Sequence, residues 1–147
     1  MKLTWCHNRL AIGNSPDSQQ IGDVVADAGI THVINCRRNP VYAQSLDVVR
    51  GIAVLWNPTE DDGLPKPAEW FGRSIDFALS ALASPRSRVA VVCCEGNNRS
   101  PSTALAILMA QGLRSEDALD LILNERPTAE ILYSGDAKRA VKELGYC

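Results

Sequence analysis

The chain has few histidines, few lysines and no long apolar run, and each shortage narrows what it can do. Only His7 and His32 are present, both far from the adjacent Cys93 and Cys94, so no zinc-type Cys/His set is spelled out, and no metal or cofactor is expected. The five cysteines lack the paired spacing of a disulfide framework. Lysine supplies only four of the 15 basic residues, and the formal charge is -2, so no overall basic field draws the protein to nucleic acid or to an anionic membrane. The longest apolar stretches, around "VAVVCC" and "ALAILMA", fall far short of the ~20 residues a membrane helix needs. The opening "MKLTWCHNRLAIG" has no sustained apolar segment before His7 and Arg9 interrupt it, so no signal peptide is read and a cytoplasmic location is expected. Cys147 lacks the three following residues of a prenylation signal. There is no repeat, no low-complexity tract and no linker-like shift of composition. Residues 1–147 are therefore expected to form a single domain, long enough to bury a core.

What is present alternates. "LTWC" and "RLAIG" read as two short strands. "SPDSQQIGDVVADAG" reads as a helix with a Ser-Pro start, apolar Ile21, Val24 and Val25 on one side, and a stop at Gly29. "THVINC" and "IAVLW" read as buried strands. "PKPAEWFGRSIDFALSALAS" reads as a helix with Phe71, Ile75, Ala78 and Leu82 at helical spacing. "SRVAVV" is a continuous apolar strand of the kind found in parallel sheets covered on both faces. Three helices follow, in "SPSTALAILMAQG", "SEDALDLILNE" and "SGDAKRAVKELG". Alternating strands and helices imply an α/β fold: a short, mostly parallel central sheet with helices on both faces.

The chemistry concentrates in "AVVCCEGNNRSPS", residues 90–102. It is a strand, then a glycine-containing loop, then a helix. Ligands of open α/β sheets sit at the carboxyl ends of strands. A helix amino terminus there offers unpaired N–H groups and positive dipole charge, so an anion is the expected guest. Arg99 adds a planar fork that fits phosphate bidentately. A thiol at the start of such a loop faces the same positive field, the setting in which cysteines become nucleophiles. Two cysteines compete for that role: five residues separate Cys93 from Arg99, and four separate Cys94 from it. The bland alternative for either is a thiol that merely packs at a strand end.

The Cys93 spacing, with Gly96 three residues on and Ser100 after Arg99, resembles the "CxxGxxR[ST]" loop of the cysteine-dependent protein tyrosine phosphatase superfamily. "CCEGNNRS" looks like the loops of its small dual-specificity branch, where Glu at the position of Glu95 is common. "GITHVINC", "NPTEDDGLPKP" and "ERPTAE" are similar to that branch's early strand, general-acid loop and late Arg-containing turn. The resemblance implies phosphomonoester hydrolysis on a phosphorylated protein or another phosphate ester, phosphoinositides and phosphorylated RNA ends being substrates also known to the superfamily. Cys93 would attack phosphorus and form a cysteinyl-phosphate. The backbone N–H groups of Cys94, Glu95, Gly96, Asn97, Asn98 and Arg99, with the Arg99 fork, would hold the phosphate oxygens. Asp61, or Asp62 beside it, would protonate the leaving group and then activate water. Ser100 would hydrogen-bond the sulfur. Cys94 is then expected to point away into packing.

Val92 departs from the pattern, since the family usually carries His there to support the hydrogen bonding around the thiolate. That departure keeps a phosphate-binding pseudophosphatase in view. A rhodanese-like sulfurtransferase acting through Cys94 is the third reading, although its loop would displace the glycine. Arg37 and Arg38 follow a strand and are either solvated or turned toward an anionic substrate. Cys36 closes "THVINC"; it is either a small core residue or, as the resemblance implies, a redox partner that captures oxidised Cys93.

Overall fold

The computed structural model describes residues 3–14, 28–38 and 52–146. Five strands make one sheet: β1 (Leu3–His7), β2 (Leu10–Asn14), β3 (His32–Asn35), β4 (Ala53–Trp56) and β5 (Val89–Cys93). Their spatial order is β1-β2-β5-β3-β4. Only β1 runs antiparallel to its neighbour; β2, β5, β3 and β4 are parallel. Four helices are found among the described residues: α1 (Ala68–Leu82), α2 (Arg99–Ala110), α3 (Ser115–Glu125) and α4 (Ser134–Glu143). Every strand and helix expected from the described stretches is present. The helix expected over "SPDSQQIGDVVADAG" falls almost wholly outside the described residues.

β5 lies at the centre because its sequence can be buried on both faces. All five of its residues are buried. Successive side chains of a strand alternate between faces. Val89, Val91 and Cys93 join Leu10, Ile12, Ile34 and Cys36 in the larger core cluster, which also holds Phe71, Ile75, Leu105, Ile107, Ile122 and Val141 from the four helices. Ala90 and Val92 face the other way, with Ala11, Ile30, Val33 and Ile52. All four described helices therefore cover one face, and Cys93 points toward that face.

α2 explains why the site can be rigid. Its residues from Arg99 to Met109 are all buried, so it is wrapped by sheet and helices rather than lying on the surface. Burying one large aliphatic side chain contributes about 1.5–3 kcal/mol, so this helix is fixed by packing on every side and its amino terminus cannot wander. The β1–β2 hairpin is tied in by Arg9, whose guanidinium donates to the carbonyls of Leu82, Ser84 and Ser87 at the carboxyl end of α1. A cation at a helix carboxyl terminus also meets the negative end of the dipole.

Val92 sits in the smaller cluster, 0% exposed, with apolar neighbours. A histidine there would bury polar nitrogens among them. Val92→His is expected to cost about 1–3 kcal/mol, measured as a lowered urea midpoint.

Candidate active site

β5 ends at Cys93 and α2 begins at Arg99, so residues 94–98 must turn the chain from a buried strand into a buried helix. Gly96 makes the turn, with φ of 73°, in the left-handed region that an L side chain rarely adopts. Space is closed there as well. A Cβ on residue 96 would lie 2.6 Å from Arg126 Nη2 and 2.9 Å from both Asn14 N and Gly13 C. The turn folds back on the thiol: Gly96 N donates to Cys93 Sγ at 3.2 Å, and Ser100 Oγ lies 3.2 Å from the same sulfur. Cys93 is 3% exposed.

The loop is held from outside by a segment that the sequence marked only as an Arg-containing turn. Arg126 donates from Nη2 to Glu95 O and from Nη1 to Thr4 Oγ1, both at 3.0 Å. Glu130 N donates to Asn97 O at 2.8 Å, and Thr128 Oγ1 to Asn97 Oδ1 at 3.1 Å. Arg99 is buried. Its Nη1 donates to Thr59 O at 2.8 Å and to Cys36 O at 3.4 Å. Its Nε is buried with no hydrogen-bond partner among the described residues. A guanidinium has five donors and no acceptor, so the carbonyls occupy one nitrogen and leave donor capacity for an oxyanion.

Asp61 reaches the loop from the segment after β4. Asn98 Nδ2 donates to Asp61 Oδ1 at 2.6 Å, and Tyr133 OH to the same oxygen at 3.3 Å. The segment starts at buried Asn57, whose side chain donates to Trp70 O and Ser74 Oγ and accepts from Arg73 Nε. It is pinned further along by Lys66, whose ammonium donates to Glu60 O and Asp62 Oδ1, both at 2.8 Å. That hydrogen bond from Lys66 is the main cause holding the Asp62 carboxyl below its usual range. A general acid must start protonated, so that bond counts against Asp62 in the role. Arg38 pairs with Glu60 at the exposed surface, and Arg37 accepts from Trp56 Nε1 through its carbonyl.

The four described cysteines separate into distinct environments. Burial pushes the Cys6 and Cys36 thiols up to about 12, so both are neutral and poor nucleophiles at pH 7. Cys36 is fully buried and lies 3.7 Å from Thr103 Oγ1. Cys94 is exposed, which corrects the expectation that it packs inward. The chain leaves the sheet at Cys93, and the next residue no longer has a strand neighbour to cover it.

The sequence pointed to Cys93, Arg99, Ser100, Gly96 and Asp61, and the fold brings these together. It gave no signal for Tyr133, Asn57 or Lys66. Each lies in an unremarkable context, and Tyr133 is 72 positions from the carboxylate it touches. Gly96→Ala is expected to destabilise by about 1–3 kcal/mol, with loss of oxyanion binding, read by chemical denaturation and by vanadate titration.

Comparison with known proteins bears on the family and the fold. The family model described as dual specificity phosphatase, catalytic domain, matches residues 10–134. Protein tyrosine phosphatase type IVA 3 of Mus musculus is 28% identical over 134 residues, covering 86% of this chain and 74% of the relative. The crystal structure of human DUSP28 superposes with a TM-score of 0.80 at 22% identity, covering 97% of each chain. That of PTPMT1 in complex with PI(5)P gives 0.76 at 20% identity, covering 95% of this chain and 94% of the other. No helix among the described residues is long and apolar enough to cross a membrane. The structural likenesses establish the shared fold, and the match over residues 10–134 places the chain in the dual specificity phosphatase family.

Proposed function

We propose that the protein is an active phosphomonoester hydrolase of the protein-tyrosine/dual-specificity type, working through a cysteinyl-phosphate. The observation that carries this is the convergence on Cys93 Sγ of the Gly96 N–H and the Ser100 hydroxyl, at the amino terminus of buried α2. In the proposed reaction Cys93 attacks phosphorus in line and the ester oxygen leaves. The N–H groups of residues 94–99 and the free donors of Arg99 hold the three equatorial oxygens as charge develops. Asp61 gives its proton to the leaving oxygen, then takes one from the water that cleaves the cysteinyl-phosphate. Ser100 hydrogen-bonds the departing sulfur. Protein phosphotyrosine is the leading substrate class. PI(5)P, the ligand of the PTPMT1 complex, brings phosphoinositides into the panel to be screened.

A phosphate-binding pseudophosphatase is the competing reading, favoured by Val92 in place of His. The Val92 side chain lies on the sheet face opposite Cys93, so the replacement removes no group that faces the thiol. The sulfurtransferase reading through Cys94 has less support, because the loop amide donates to Cys93. The test is phosphate release from phosphopeptides, phosphoinositides and aryl phosphates. Cys93→Ser is expected to abolish release while vanadate still binds, and Cys94→Ser to retain most activity. Asp61→Asn should slow esters with poor leaving groups about 10²-fold or more, and good ones far less. A dead Cys94→Ser beside an active Cys93→Ser would overturn the assignment.

Cys36 is proposed as the redox partner of Cys93. Cys36 directly follows β3 and Cys93 ends the adjacent parallel β5; both belong to the same core cluster, and Cys36 N donates to Val92 O at 2.9 Å. Neighbouring strand positions have Cα separations that a disulfide can span. Peroxide would oxidise Cys93 to a sulfenic acid, and the Cys36 thiol would condense with it, releasing water. Because the Cys36 thiol is pushed up to about 12, its thiolate fraction, and so the rate of capture, should grow as pH rises. The expected result is a Cys36–Cys93 linked peptide on non-reducing mapping, with thiol rescue lost in Cys36→Ser. Equal rescue without the linked peptide would count against it.

A further inference from the structure

Asp61 offers two oxygens, and the structure treats them differently. Oδ1 accepts from both Asn98 Nδ2 at 2.6 Å and Tyr133 OH at 3.3 Å, whereas Oδ2 receives no hydrogen bond among the described residues. Two backbone amides fix the direction of both bonds. Leu132 N–H donates to the Asn98 side chain at 2.7 Å, so the atom facing Leu132 must be the amide oxygen, and the NH₂ group faces Asp61. Gly63 N–H donates to Tyr133 OH at 2.9 Å, so the phenol's own hydrogen is free to go to Asp61. The Asn98 NH₂ cannot turn into an acceptor without abandoning a main-chain N–H, whereas the Tyr133 hydroxyl keeps its bond from Gly63 whichever way its own hydrogen points.

The turn that presents these groups is strained and anchored. Ile131 has φ of 39°, unusual for a β-branched residue, and is buried. Strain of this kind costs about 1–3 kcal/mol and persists only where neighbours over-determine it. Here Glu130 N bonds to Asn97 O on one side of Ile131, and Leu132 N bonds to Asn98 Oδ1 on the other. Tyr133 itself is 1% exposed, with the Lys66 ammonium 4.9 Å from its ring centroid.

We infer that Tyr133 and Asn98 are positioning residues that select which oxygen of Asp61 carries the proton. With Oδ1 facing the fixed Asn98 donor, a proton on Oδ1 would meet an amide hydrogen and would also displace the Tyr133 hydrogen from that oxygen. The proton of the neutral acid therefore resides on Oδ2, and Oδ2 is the atom that delivers it to the leaving oxygen. The turn at 130–133 thereby takes part in aligning the acid, by supplying Tyr133 and by holding Asn98 of the cysteine loop through Leu132 N. This rests on the hydrolase reading above, with Asp61 as the acid.

The experiment compares Tyr133→Phe with wild type on two aryl phosphates, phenyl phosphate and p-nitrophenyl phosphate, whose leaving groups differ in their need for a proton. Tyr133→Phe keeps the ring and removes one donor. It is expected to lower kcat about three- to ten-fold more on phenyl phosphate than on p-nitrophenyl phosphate. In the Asp61→Asn background that extra loss should vanish, because no proton remains to be placed. Asn98→Ser removes the other donor to the same oxygen and should show the same selectivity, giving a reading should Tyr133→Phe not fold. Equal losses on both esters, or a selective loss that persists with Asp61→Asn, would overturn the inference while leaving the hydrolase reading intact. A wild-type protein that releases phosphate from neither ester would overturn both.

Discussion

The bond from Gly96 N to Cys93 Sγ depends on a missing atom. At residue 96 the backbone passes so close to the end of β2 that even a methyl group would collide with main-chain atoms, and it does so at a φ that side chains avoid. Given that approach, five residues suffice to join the central strand to the most buried helix, and the N–H groups of the turn gather around one sulfur. Arg126 fills the space beside Gly96 and ties the turn to β1 through Thr4. Remove the close approach and the strand, the helix and the guanidinium would have to find new positions together.

The acid segment is organised by a different principle. Its anchors are buried polar groups whose partners are complete or nearly so: Asn57 uses both ends of its amide, and Lys66 lies with its side chain only 5% exposed while bonding a carbonyl and a carboxylate. Satisfied buried networks of this sort specify one arrangement because any alternative leaves a donor or an acceptor unpaired. The loop that carries Asp61 therefore meets the cysteine loop in a fixed register, although Asp61 and Cys93 belong to separate strand–helix connections.

Much of this architecture could be read from the chain because it follows from local patterns. The apolar run of β5, the helical spacing of Phe71, Ile75 and Ala78, and the Cys-x5-Arg spacing each speak through neighbours in sequence. Face assignment was also legible in principle, since alternation sends Cys93 and Val92 to opposite sides. What could not be read were contacts whose partners lie far apart along the chain. Tyr133 has an ordinary sequence setting before a helix, and only the packing of α4 beside the acid segment turns it into a partner of Asp61. Lys66, between two prolines, is buried by contacts with Glu60 and Asp62 that nothing in its local sequence announces. Cys94 was expected, as the second loop position, to point away into packing, whereas the sheet ends at Cys93 and leaves the next residue exposed.

That boundary has a consequence for chemical labelling. Cys93 and Cys94 are adjacent in sequence, yet one is enclosed and the other stands open at the rim of the same loop. An alkylating reagent meets the outer sulfur first and can attach to it without touching the inner one. Loss of thiol titre after such treatment, taken alone, therefore does not show that Cys93 has reacted.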